Sequence, residues 1–189
     1  MRKCRIGIHR LGRKVTRTFR CTDNRLLIGR KNVAKTLRDE LKKRHRFESV
    51  EQEATLAILR TGDLLENRFA RLLRDYELTP TQYNVLRILR GEGRPLPCLE
   101  VANRMIQVAP AITRVVDQLL ALKLITKTQS DRDRRVYDLG LTPAAEQLLK
   151  NLDQPVLDLH ASLLSSVSKA DLKELIRILE LVRAGIVEP

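Results

Sequence analysis

Within residues 108–142 the hydrophobic period changes twice, and few folds accommodate that. Ile112, Val115, Val116, Leu119 and Leu120 recur at the three-to-four spacing that buries one face of a short helix. Thr113, Arg114, Asp117 and Gln118 are left on the outward side. After Leu124 the pattern becomes short runs rich in Ile, Thr, Val and Tyr around a polar segment at 130–135, the signature of two strands and a hairpin. Leu141-Thr142-Pro143 then opens a new helix.

The preceding residues supply a partner for that short helix. Pro95 and Pro97 lead into a helix expected over 98–105, with Leu99, Ala102 and Met105 facing inward, and a turn at 106–109 follows. Pro110 falls in the first turn of the next helix. Two short helices joined by about four residues have the helix-turn-helix plan. On its own this pattern is weak, and the hairpin behind it strengthens it.

Elsewhere the chain reads as helix. Residues 51–76 carry a stripe of Leu65, Phe69, Leu72, Leu73 and Tyr76, extended toward the N-terminus by Ile58 and Leu59. Thr79-Pro80-Thr81-Gln82 is a strong start signal: a capping Thr, Pro at the first helical position and Gln at the capping-box spacing. Tyr83, Val85, Leu86, Ile88 and Leu89 follow as a buried stripe, and Gly91 and Gly93 end that helix. After Thr142 come Leu148, Leu149 and Leu152. Pro155 is expected to kink or restart the helix before Val156, Leu159, Leu163 and Leu164. Residues 168–171 look like a further cap, before Leu172, Leu175, Ile176, Leu179 and Val182. These last two helices hold more apolar surface than a small domain covers, so they are expected to meet the 51–76 helix of a second subunit.

With Trp absent and aromatics at 3%, the core must be built from Leu, Ile, Val and Ala. The expected fold is mainly α: a winged helix-turn-helix domain (79–141) with a three-stranded or two-stranded β wing. Dimerisation helices at 50–78 and 142–184 flank it. Three scattered cysteines and the lack of an apolar run of membrane-spanning length fit a reduced, cytoplasmic protein with no membrane partner.

The net charge of +13 is not spread evenly. Residues 1–46 hold 17 of the 36 Lys and Arg and three of the 23 acids, a net of +14, which leaves the remainder at −1. Three readings of this basic extension stand open: a solvated tail, flexible or partly helical near 33–43; an arm that holds DNA phosphates through counterion release; or a leader translated from an upstream start. A targeting peptide fits less well, because Ser is absent before Ser49.

A helix with outward Thr and Arg fits a major groove, and a basic hairpin tip reaches phosphates or a neighbouring minor groove. For Asp131-Arg132-Asp133-Arg134-Arg135 the plain alternative is a solvated turn. Position favours the functional reading: three guanidiniums at a strand-to-strand tip, with Asp133 close enough to orient one of them, suit a narrow groove where negative potential is strongest.

With its elements in this order, the chain resembles the MarR family of bacterial transcriptional regulators. The likeness rests on Leu78-Thr79-Pro80-Thr81-Gln82-Tyr83-Asn84-Val85-Leu86, on Ile112-Thr113-Arg114-Val115-Val116-Asp117-Gln118-Leu119, and on Asp133-Arg134-Arg135 followed by Leu141-Thr142; it covers about 51–184. The resemblance implies a homodimer on pseudo-palindromic double-stranded DNA, usually a repressor, that releases DNA when a small phenolic or lipophilic effector binds. It assigns Ala111, Thr113 and Arg114 to the recognition helix, and Arg132, Asp133, Arg134 and Arg135 to the wing, where an arginine enters the minor groove and Asp133 braces the tip.

Three features depart from the family pattern. Lys123 stands where glycine is common between recognition helix and strand, which implies a differently shaped corner. Ala109 replaces a Ser or Thr-like cap, and the basic extension has no general counterpart. No cysteine lies near the start of the first long helix, where the thiol-sensing branch keeps one, so oxidant sensing by that route is not expected. Cys98 reads as a small packing residue rather than a sensor.

His9, His45 and His160 lack metal-ligand spacing, and no Gly-rich phosphate loop or nucleophile beside a base is present. Neither a metal, a cofactor nor an enzymatic activity is expected. The alternative to a sequence-specific regulator is a general nucleic-acid-coating protein acting through the basic extension.

Overall fold

The computed structural model describes residues 35–107, 112–130, 133 and 135–186. The chain divides into two units, the second beginning at Phe47. In the described part of the first unit, α1 (Leu37–Glu40) is a single turn. Thr36 Oγ1 accepts the Asp39 N–H at 3.3 Å and donates to Asp39 Oδ2 at 2.7 Å. That hydroxyl bond holds the Asp39 carboxyl below its ordinary pKa.

The second unit opens with α2 (Val50–Arg74), capped by Ser49 Oγ, which accepts the Gln52 N–H at 3.2 Å. At its far end Glu77 takes a left-handed φ of 56° and the Leu78 N–H donates back to the Leu73 carbonyl at 3.1 Å. This closes the helix in the way a glycine usually does. Next, α3 (Pro80–Glu92) starts with the expected capping box: the Gln82 N–H donates to Thr79 Oγ1 at 3.2 Å and the Thr79 N–H to Gln82 Oε1 at 2.9 Å. Gly91 lies inside α3, and only Gly93, with φ 71°, terminates it.

After a two-residue strand β1 (Leu96–Pro97) come α4 (Cys98–Asn103), α5 (Ile112–Ala121), β2 (Ile125–Gln129) and β3 (Tyr137–Leu141). The wing is therefore three-stranded. Its antiparallel order is β1-β3-β2, with Leu96 opposite Leu139 and Ile125 opposite Leu141. Pro97, which the sequence pattern assigned only to the approach to α4, sits in the edge strand, where its missing N–H costs no ladder bond. Gly140 faces Thr126 so closely that a Cβ there would lie 2.7 Å from Thr126 Oγ1.

Two long helices close the unit, α6 (Pro143–Leu163) and α7 (Lys169–Ile186). Pro155 does not restart α6, which runs unbroken past it. Leu149, Leu152 and Val156 are buried on both sides of the proline, so packing keeps the helix continuous across the single missing hydrogen bond. Ser168 caps α7, as its Oγ accepts the Asp171 N–H at 3.2 Å.

The core joins the end of α2 to α3, α5, β3 and α6 through fully buried Leu73, Leu86, Leu89, Leu119, Leu139 and Leu149. In α4 one of the three residues expected to face inward does not, while Ala102 and Met105 are partly covered. Leu99 is 73% exposed, whereas Val101 is fully buried. Cys98 and Val101 complete the covered stripe with Ala102 and Met105, because β1 fixes the direction in which the helix leaves the sheet. By contrast α7 buries no residue at all, and Ile176 and Leu181 are 57% and 61% exposed. Ile58, Leu59 and Leu64 on α2 are also exposed.

The corner after α5 has the ordinary shape in spite of its side chain. Lys123 adopts φ 57°, its N–H donates to the Leu120 carbonyl at 2.9 Å, and the Leu124 N–H donates to the Leu119 carbonyl at 3.0 Å. This is the two-bond helix stop that favours glycine, held here by lysine. Lys123→Gly is expected to stabilise the fold by roughly 0.5–1 kcal/mol, since it relieves left-handed strain at an exposed site. Urea unfolding measures it, and a loss of stability would mean that the lysine stem packs usefully.

Candidate nucleic-acid interface

Helix α5 is seated by Val116 and Leu119, both buried, with Ile112, Val115 and Leu120 partly covered. Thr113, Arg114, Asp117 and Gln118 are exposed on the other side, as the helical period requires. Ala111, expected at the start of this surface, lies outside the described residues.

Gln118 is exposed but committed. Its Oε1 accepts from Gln82 Nε2 at 3.2 Å, and Gln82 is 6% exposed. The same Gln82 carries the capping box, so one buried amide both starts α3 and ties it to α5.

Between β2 and β3 the hairpin tip is shaped by Asp133. Its Oδ1 accepts the Arg135 backbone N–H at 2.9 Å, its carbonyl accepts the Val136 N–H at 2.9 Å, and the Ser130 N–H donates to the Val136 carbonyl at 2.9 Å. Among the described residues this carboxylate holds the Arg135 amide. Asp133 and Arg135 are exposed. Arg132 and Arg134 lie outside the described residues.

The register of the strands adds one contact that sequence spacing did not offer. Lys127 Nζ sits 4.7 Å from the centre of the Tyr137 ring, a diagonal cross-strand pair. It places a cation on the outer part of the wing.

Polar ties between α3 and the helix pair of α4 and α5 are likewise invisible to sequence spacing. The Ile106 N–H, in the turn after α4, donates to Asn84 Oδ1 at 3.0 Å. Arg104 at the end of α4 donates to Glu92 Oε2 at 2.7 Å and also pairs with Glu100. The Arg104 bond keeps the Glu92 carboxyl below its ordinary pKa. No local pattern could have signalled the Asn84–Ile106 and Glu92–Arg104 ties, because each depends on where separate elements meet, whereas Arg104–Glu100 is an i,i+4 pair.

A second polar group ties α3 to α6. Arg87 and Arg90 both reach Asp153, with Arg90 Nη1 at 3.1 Å from Oδ2. Beside them Phe69 stands edge-on to Tyr83, with ring centres 5.3 Å apart, and stacks on His160 at 5.9 Å. Burial, reinforced by the Asp153 charge, raises the Tyr83 hydroxyl above its ordinary pKa.

Among the described residues no three His, Cys, Asp or Glu side chains come together as a metal site, and no helix is long and apolar enough to cross a membrane. Cys98 is free and partly buried against the core.

A short helix pair followed by a β hairpin that folds back on the first strand defines a winged helix-turn-helix protein. The MarR family's sequence model matches residues 78–137. A MarR transcription factor from Planctomyces limnophilus is 38% identical, with a TM-score of 0.56 over 72% of this chain and 99% of that one. YpoP of Bacillus subtilis, described as an uncharacterized HTH-type transcriptional regulator, is 30% identical over 104 residues, 55% of this chain and 73% of its own length. Sco3205, a MarR family regulator from Streptomyces coelicolor solved in complex with DNA, shares the fold at 20% identity, with a TM-score of 0.67 over 77% of this chain and 94% of that one. The chain belongs to the MarR family. It is a DNA-binding transcription regulator and not an enzyme.

Proposed function

We propose that the protein is a ligand-responsive repressor that binds pseudo-palindromic promoter DNA as a homodimer in the cytoplasm. The observation that carries this reading is the seat of α5: Val116 and Leu119 anchor one side while Thr113 and Arg114 stand exposed on the other. Ala111, Thr113 and Arg114 then face bases and phosphates in the major groove. The wing, with Arg132, Arg134 and Arg135 around the Asp133 turn, lies along the neighbouring minor groove. Pairing through α2, α6 and α7 sets the two recognition helices about one DNA turn apart, roughly 10 base pairs.

The test begins with duplexes selected by the wild-type protein from a random pool. Arg114→Ala is expected to weaken binding by about 1–3 kcal/mol and to relax preference at the bases it faces. Arg135→Ala is expected to weaken binding while the preferred major-groove sequence stays the same. Gel-shift titrations across site variants separate the two, and unchanged binding in both variants contradicts the assignment.

The effector reading draws its support from the aromatic group where α2, α3 and α6 meet. Phe69 packs there against the buried Tyr83 and the exposed His160, beside the Arg90–Asp153 pair, and aromatic groups next to an ion pair are chemistry that suits a small phenolic or lipophilic molecule. Such a ligand shifts DNA binding only by favouring one spacing of the two recognition helices over the other.

The charge of residues 1–46 favours a second role for the extension as a phosphate-holding arm. A chain starting at Phe47 is expected to keep its sequence preference. Its slope of log K against log salt should become shallower by about 0.9 for each phosphate that the extension neutralises. If truncation removes all binding, the coating role is primary and the repressor reading fails.

A further inference from the structure

We propose that Asn84 is a positioning residue that aims the recognition helix, so that α3, which lies outside the helix-turn-helix, sets sequence discrimination. This rests on the reading that α5 contacts bases.

In the turn after α4 Met105 packs against the core, but the next residue, Ile106, is 88% exposed and has no apolar seat. Its defined tether is the Ile106 N–H bonded to Asn84 Oδ1 at 3.0 Å, across 22 residues of sequence. Two further bonds bracket that tether. Gln82 holds Gln118 on α5, and Glu92 holds Arg104 at the end of α4. Helix α3, itself fixed by buried Tyr83, Val85, Leu86 and Leu89, thus grips the helix pair at its turn and in both of its helices.

These bonds act on position more than on stability. The Ile106 amide is in an exposed setting, so when Asn84 is removed it can turn to water at little cost. Ile106, the residue that the tether holds, is then no longer fixed to α3. A reading group displaced by about an ångström loses directional hydrogen bonds to base edges while keeping its charge near phosphates. Specific binding should fall, and general duplex affinity should not.

The experiment compares Asn84→Leu, Asn84→Ala and Asn84→Asp in the full chain, titrated against the selected duplex and a scrambled duplex, with thermal unfolding of each variant alongside. Leu and Ala remove the acceptor; Asp keeps it and adds a negative charge. The expected result is a roughly tenfold fall in the selected-to-scrambled ratio for Leu and Ala, with Asp within about threefold of wild type and scrambled-duplex affinity unchanged for Leu and Ala. A ratio that stays at the wild-type value in both Leu and Ala variants overturns the proposal. So does an Asp variant as impaired as they are, because that outcome marks Asn84 as a direct contact with DNA. Arg114→Ala runs beside them: if it too leaves the ratio unchanged, the failure belongs to the recognition-helix assignment rather than to Asn84.

Discussion

Replacing Ile176 and Leu181 of α7 together by Asp is expected to convert the protein to monomers and to abolish operator binding at concentrations that saturate the wild type. Both side chains are more than half exposed in the single chain, and no residue of α7 is buried there. An 18-residue amphipathic helix that buries none of its residues gains most of its stability by meeting another surface. Each large apolar side chain buried in that contact contributes roughly 1.5–3 kcal/mol, and a desolvated carboxylate opposes it by more. Separated half-sites then lose the advantage of joint binding, which amounts to a factor of about 100 or more. Sedimentation of the variant, with its helical signal recorded to show that it is folded, is the measurement. A dimer that persists with operator affinity intact would mean that α7 is covered by something other than a second copy.

Leu119→Ala is expected to destabilise the unit by roughly 3–5 kcal/mol and to lower its melting temperature by on the order of 10 °C. Leu119 is fully buried and joins α5 to the core, so the cavity it leaves lies beneath the recognition helix. Leu99→Ala serves as the comparison. At 73% exposure it should change stability by no more than about 0.5 kcal/mol. Equal losses at the two positions would contradict the burial pattern on which the placement of α4 and α5 rests.

Those two leucines also mark what the sequence makes legible. Leu119 sits in a helix of ten residues whose apolar spacing repeats often enough to define one face, and the structure buries it as that spacing demands. Leu99 belongs to a helix of six residues. So short a helix leaves the edge of its covered face open, and Leu99 falls outside that face while Ala102 and Met105 fall within it. Thr79, Pro80 and Gln82 are readable because a capping box is closed within four residues. The ordinary corner at Lys123 is not, because strong flanking bonds impose the left-handed turn on a lysine. Nor is the continuity of α6 through Pro155, where packing on both sides outweighs one missing hydrogen bond.

The candidate interface divides in the same way. The outward positions of Thr113 and Arg114 follow from helical geometry alone. The bond from Asp133 to the Arg135 amide could be found only with the turn in view, since a carboxylate two residues from an arginine suits either partner. Asn84 with Ile106, and Gln82 with Gln118, join segments 22 and 36 residues apart, and no local pattern encodes that meeting.

Two copies of this chain acting on one duplex, each through its own α5, is the claim on which the functional account turns. The mass of the complex formed on the selected duplex, measured by sedimentation at increasing protein concentration, tests it most directly. A single cooperative step to two chains per duplex is expected, with no populated species carrying one. A stable complex of one chain per duplex that retains full sequence preference would contradict it.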